Sequence, residues 1–258
     1  SAGSRSHYAS GNAHIAAANQ LLKAMRKPDG TYRTYDEMVA EGIPTLYKGV
    51  WTSVGLREAN DPNTGEGDSC QDQNHHLSLA KVEVDPETGK VDVIAVRSVS
   101  DVGVIGNRLT LEGQAIGGLE HAIGFALHED YSDMDKKYET MLGCGTLQCN
   151  QMPDDCVFEY IETPREYGPF GSGGASECFQ SSPHVAILNA IYNAVGVRIY
   201  EIPATPARIK AALRAKAEGI EYKPGPYFLG SDFDETMDEI KANPVMVQKT
   251  AVIDNTGH

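Results

Sequence analysis

The stretch GPFGSGGASECFQSSPHVAILNAIYNAVGV, residues 168–197, joins a glycine-rich loop to an amphipathic helix. Four glycines fall among its first seven residues, Gly168, Gly171, Gly173 and Gly174, a density that lets backbone take positive φ and lie close to a ligand. The carboxylate of Glu177 closes the run. Ser182-Pro183 reads as N-cap and first helical position, and Val185, Leu188, Ile191 and Val195 recur at helical spacing before Gly196 ends the helix. An acid is thus set beside backbone N–H groups at a helix N-terminus, where anions and reacting oxygens are often bound. Taken alone, such a turn usually leaves its acid solvated, so the rest of the chain has to decide.

With 258 residues, 41% hydrophobic and 22% charged, the chain can bury a substantial core as one large or two ordinary domains. No apolar run approaches the roughly 20 residues of a membrane span. A net charge of −14 leaves no surplus cations to displace counterions, which argues against a general nucleic-acid binder. The first residue is Ser1 and no signal-peptide pattern follows it, so the chain is expected to be a processed piece, a trimmed chain or part of something longer. Five cysteines, an odd number, weaken a disulfide framework.

Working outward from the loop, residues 157–163 read as a strand leading into it and 197–202 as a strand leaving the helix. Thr205-Pro206 caps a further helix that ends near Gly219, and 234–242 is helical within an otherwise extended tail, expected to lie across a partner surface. Upstream, 77–84 and 90–99 alternate around the turn DPETG, which predicts a β-hairpin. Residues 110–129 form a helical pattern in which Gly113, Gly117 and Gly118 suggest close packing or a close ligand. The glycines of 101–106 do not make a dinucleotide-binding fingerprint. Near the start, Ile15, Ala18, Leu22 and Met25 share one face of a helix over 9–26, which KPDG at 27–30 stops. Gly3, Ser4 and Arg5 ahead of it suit a phosphate or a plain loop. Thr34 and Glu37 predict a capping box for a short helix ending near Gly42.

Residues 60–76 read as a polar loop, and His75-His76 within it has no partner ligands at a recognisable metal spacing. Cys144, Cys149 and Cys156 make C-x4-C-x6-C, which matches neither the usual zinc pairs nor the ferredoxin runs. Free or packed thiols are the better reading there.

GPFGSGGASE, followed by SSPHVAILNAIYNAVGVRIYEIPATPARI, resembles the C-terminal part of the molybdopterin-binding subunit of the xanthine oxidase family of molybdenum hydroxylases, most of all bacterial aldehyde oxidoreductases. The hairpin VEVDPETGKVDV, the stretch SDVGVIGNRLTLEGQAIGGLEHAIGFALHEDY and the starting SAGSRSHYASGNA agree in the family's order, so the likeness covers most of residues 1–218.

The resemblance implies an α+β fold, with 1–219 as the C-terminal part of a molybdopterin-binding domain and 220–258 as a tail. It implies Glu177 as the general base on a molybdenum-bound hydroxyl, with water as the oxygen donor for oxidation of an aldehyde to its carboxylate. Gly173, Gly174, Ala175 and Ser176 fall on the loop beside the metal, Gly3, Ser4, Arg5 and Ser6 on a segment that contacts the pterin, and Gln114 on a glutamine that bonds the cofactor. The implied cofactor is molybdopterin, in its cytosine dinucleotide form, with the metal held by the pterin dithiolene and not by protein. Electrons would leave through [2Fe-2S] clusters on other segments or partner subunits, in a cytoplasmic hetero-oligomer or a dimer of such assemblies. Ser176 stands where the family usually has glycine, Cys178 replaces an apolar residue, and the three-cysteine cluster is foreign to the pattern. The iron–sulfur cysteine sets and the earlier half of the molybdenum domain are not in this sequence. Rival readings are an N-heterocycle hydroxylase and a non-catalytic scaffold subunit.

Overall fold

The hairpin forms as β1 (His75–Val84) and β2 (Val91–Asp101), paired antiparallel with a register shift between Lys81 and Val82. β3 (Asp155–Ile161) joins β2 in parallel, giving a mixed sheet in the order β1-β2-β3. The computed structural model describes residues 3–53, 61, 64, 66–67, 70–130, 140–220, 222 and 233–243. The helices are α1 (Gly11–Met25), α2 (Tyr35–Ala40), α3 (Arg108–Leu127), α4 (Cys178–Ser181), α5 (Pro183–Val195), α6 (Pro206–Ala217) and α7 (Phe233–Ala242). Helices packed on a mixed sheet make the expected α+β fold.

One face of the sheet carries the core. Val91 and Val96 meet Leu119, Ile123 and Leu127 of α3, Ile187 and Ile191 of α5, and Ile209 of α6. The inner residues of β1 change from apolar Val84, Val82 and Ala80 to polar Ser78 and His76, which pair across β2 with Ser98 and Ser100. Both serines are buried, and buried hydroxyls need partners. Ser98 finds one in Ser78 and Ser100 in His76, while Ser182 at the start of α5 donates to Ser78 Oγ at 2.9 Å. A second, smaller cluster of Val102, Ala115 and Phe179 lies beneath the glycine loop.

Several local expectations hold. Thr34 and Glu37 make the capping box of α2, Gly42 follows it at φ 68°, and Gly196 ends α5 in the left-handed conformation at φ 68°. Thr205 caps α6 by accepting from Arg208 N.

Others are corrected. Residues 197–202 form no strand, although Val197 and Ile199 are buried in the main core cluster. Ser182 stands at the N-cap of α5, yet its hydroxyl makes no cap bond because Ser78 takes it. Val185 is exposed, and Ile187 occupies the buried face in its place. In α1, Ala18 and Leu22 are exposed; the helix packs instead through Ala13 and Ala17, against the backbone of Gly49. His75 and His76 begin β1 and do not lie in a loop. Of the three α3 glycines named from the sequence, Gly118 is crowded, while Gly113 and Gly117 have nothing within 4 Å of a built Cβ. Most of the expected tail lies outside the described residues.

Candidate active site

Four stretches far apart in sequence meet around the glycine loop. After β2, Gly103 at φ 73° pairs with Ser172, Gly173 N donates to Val102 O at 3.0 Å, and Val104 N donates to Gly171 O at 2.9 Å. These bonds strap the loop to the segment that leads into α3. The space is tight: a Cβ on Gly103 would lie 2.6 Å from Gly173 N, and one on Gly174 would collide with the carbonyl oxygen of Ser4. The N-terminal segment 3–7 is therefore pressed against the loop, and Asn74 Nδ2 donates to Gly174 O from the other side.

Glu177 sits where α4 begins. Ser4 Oγ donates to its Oε2 at 3.1 Å and accepts from its backbone N–H at 2.9 Å, while Ser176 Oγ donates to Ser4 Oγ at 3.0 Å. Gly3 and Ser4 both have positive φ, 64° and 54°. Two cavities share Glu177. The first, about 360 Å³, is lined by Ser6, Gln114, Gly173, Ala175 and Ser176 among others; the second, about 570 Å³, by Gly3, Arg5, Gly174, Tyr8 and Trp51. Ser4 borders both. The nine other site residues named from the sequence thus line the two cavities that share Glu177.

Behind Glu177, Phe179 is buried and meets the rings of His76, Phe158 and Tyr160 edge-on, at centroid distances of 5.7, 6.5 and 6.3 Å. Both His76 nitrogens are engaged, Nδ1 with Ser100 Oγ at 2.5 Å and Nε2 with Ser78 Oγ at 2.9 Å, and burial lowers its pKa. Cys178 Sγ donates to Ala175 O at 2.8 Å, and burial pushes its thiol up to about 12.

Arg165 was not singled out from the sequence. Its guanidinium lies 2.9 Å from Asp72 and 3.2 Å from Asp101, and Nη2 also donates to Asp101 O and Asn74 Oδ1. Burial raises the carboxyl of Asp72 above its ordinary value against the pull of Arg165. For Asp101 burial also works to raise the value, but hydrogen bonds from Thr163 and Gly103, with Arg165, bring the carboxyl below it. The signal available was Thr-Pro-Arg after a strand and Asp at a strand end, too common to mark a site.

A family model described as the molybdopterin cofactor-binding domain matches residues 1–153. The aldehyde oxidoreductase of Megalodesulfovibrio gigas is 42% identical over 215 residues, 83% of this chain and 24% of that protein. The chain belongs to the xanthine oxidase family of molybdenum hydroxylases. A solved aldehyde oxidoreductase from Desulfovibrio gigas superposes on this chain with a TM-score of 0.79, and one from Desulfovibrio desulfuricans with 0.74 at 43% identity over 81% of the chain and 23% of that structure. The large subunit of nicotine 6-hydroxylase from Paenarthrobacter nicotinovorans is 36% identical over 138 residues, 52% of the chain and 17% of that subunit. The chain spans about a quarter of the length of the aldehyde oxidoreductases it matches.

The residues present fit such a cofactor. The first cavity offers neutral hydrogen-bonding groups, Ser6, Asn107, Thr110, Gln114 and Ser176, with Glu177 as its acid. Among the described residues no group of three His, Cys, Asp or Glu is placed to hold a metal ion. The hydrogen-bonding groups of that cavity suit the polar edge of an organic cofactor. Cys144 is buried with Sγ donating to Met141 O, Cys156 donates to Pro153 O, and Cys149 is exposed. Among the described residues no helix is long and apolar enough to cross a membrane.

Proposed function

We propose that this chain is the Glu177-bearing part of the catalytic subunit of a molybdenum hydroxylase that oxidises an aldehyde to its carboxylate, with water as the oxygen donor. The observation that carries the reading is the Glu177 carboxylate, fixed by Ser4 at the boundary of two cavities, one of which Gln114 also lines. Molybdopterin in its cytosine dinucleotide form would supply the two-electron oxidation, with [2Fe-2S] clusters on other segments or partner subunits carrying the electrons away. Glu177 would act as general base by accepting the proton of the attacking hydroxyl, a contribution of about 10²–10⁴-fold when the carboxylate is within hydrogen-bond reach. Gly3, Ser4, Arg5 and Ser6, with Gly173, Gly174, Ala175 and Ser176, would hold the cofactor in the cavities they line. Gln114 would donate its side-chain amide. The crowded glycines let the loop lie against the backbone of Val102 and Ser4, and N–H groups of the loop left unbonded by protein would face developing negative charge. Residues 1–219 would complete a molybdopterin-binding domain, and 220–258 would run across a partner.

The aldehyde reading draws on the relatives matched over most of the chain; the nicotine hydroxylase relative supports N-heterocycles as the second reading. The test is to purify the chain with its natural partners, measure molybdenum and pterin, and assay aldehydes beside N-heterocycles. Glu177→Gln should lower turnover by about 100-fold or more with molybdenum content unchanged. Near-normal turnover in that variant removes Glu177 from its role. An assembly without molybdenum or pterin makes the chain a scaffold.

A further inference from the structure

The Ser176 hydroxyl does not point at Glu177; it donates to Ser4, and Ser4 donates to Glu177 Oε2. A serine hydroxyl has one hydrogen and two lone pairs. At Ser4 all three are assigned: one lone pair accepts from the Glu177 N–H, the other from the Ser176 hydroxyl, and the hydrogen goes to the Glu177 carboxylate. Because both lone pairs are engaged, the Ser4 hydrogen has one direction left. Ser4 is pinned from its backbone side as well. Its carbonyl oxygen abuts Gly174, and it sits at φ 54°, a conformation glycine adopts freely and serine does not. Among the described residues no hydrogen bond reaches Oε1 of Glu177, so the clamp holds one carboxylate oxygen and leaves the other free.

We propose that Ser176 is a positioning residue for Glu177, acting through the hydroxyl of Ser4 to aim the carboxylate; its kinetic part rests on the general-base reading above. A chain of hydroxyls polarised in one direction strengthens its last bond, the one to the carboxylate. The effect belongs to the reacting step: the clamp orients the base and adds nothing to substrate affinity, so its loss appears in kcat.

The experiment uses the purified holo-assembly with Ser176→Ala, Ser176→Thr, Ser4→Ala and the Ser4→Ala/Ser176→Ala double variant. It measures kcat, KM, molybdenum content and amide exchange of the Glu177 N–H. Ser176→Ala should lower kcat about tenfold, equivalent to about 1.4 kcal/mol of barrier. KM should stay within about twofold, molybdenum content should be unchanged, and the Glu177 amide should exchange faster. Threonine should restore both kcat and exchange protection. Since Ser176 acts through Ser4, removing it should add nothing in a chain that already lacks the Ser4 hydroxyl. Additive losses in the double variant overturn the proposal. So does a Ser176→Ala variant with unchanged exchange, or one whose defect lies in KM or in molybdenum loading. Should Glu177→Gln keep its turnover, the general-base reading fails by itself, and the amide exchange of Ser176→Ala and the double variant still decides whether the clamp exists.

Discussion

Phe179 lies so close to Gly118 that a Cβ on the glycine would stand 2.6 Å from the Cβ of the phenylalanine and 3.0 Å from its carbonyl carbon. Gly118 is one helical turn beyond Gln114 on α3, and Phe179 is two residues beyond Glu177. The contact therefore sets the spacing between two residues that line the first cavity. Gly118→Ala should force α3 and α4 apart. Overpacking of this kind costs about 1–3 kcal/mol, offset by up to about 1 kcal/mol of helix propensity. The net loss, read from denaturation midpoints, should come with lower turnover. Gly117→Ala, with open space at its Cβ, should instead gain stability.

Features governed by neighbours in sequence were legible. The α2 capping box, the left-handed Gly196 and the hairpin turn follow from rules that operate within a few residues. Glu177 and its glycine loop became legible through resemblance, since periodicity alone left the acid ambiguous. What could not be read were long-range contacts. Ser182 carries the N-cap signal, but Ser78 takes its hydroxyl across 104 positions. Val197 and Ile199 alternate like a strand because they are buried on one side, and burial does not require a ladder. The Ser4–Glu177 bond spans 173 positions, and no local pattern announces it.

Stability should fall in mild acid. Burial holds the imidazoles of His76 and His128 below their ordinary value of 6.5. The unfolded chain then takes up protons before the folded one as pH falls. The contribution is fully present above about 6.5 and is lost as pH drops through the lower folded values. Denaturation midpoints followed from about pH 8 to about pH 5 should show the decline. His76→Gln should flatten part of it and leave the His128 share.

Cys178 should be chemically quiet despite its place beside Glu177. Its thiol, pushed up to about 12 by burial, stays protonated near neutrality, and the thiolate is the reactive form. Exposed Cys149 should take iodoacetamide in the native protein while Cys178 stays unlabelled until denaturant is added. Mass spectrometry of the labelled peptides distinguishes the two. Equal labelling rates would mean that the turn carrying Glu177 opens in solution.

Arg165 should matter more for stability than any surface ion pair in the chain. Its side chain is 12% exposed and those of Asp72 and Asp101 are 16% and 14% exposed, so all three have given up most of their hydration. Arg165→Met would leave two enclosed carboxylates without their cation, and breaking a buried pair from one side costs about 3–5 kcal/mol. Arg165→Lys should recover only part of this, because an ammonium cannot bridge Asp72, Asp101 and Asn74 as the planar guanidinium does. The sign of the pH effect separates this account from simple loss of packing. Without the cation both acids protonate more readily in the folded chain than they do beside Arg165. The stability gap between Arg165→Met and the parent should therefore narrow as pH falls through the carboxylate range. Urea denaturation of both proteins near neutrality and near pH 4 measures that gap; a gap of constant size would assign the loss to packing alone.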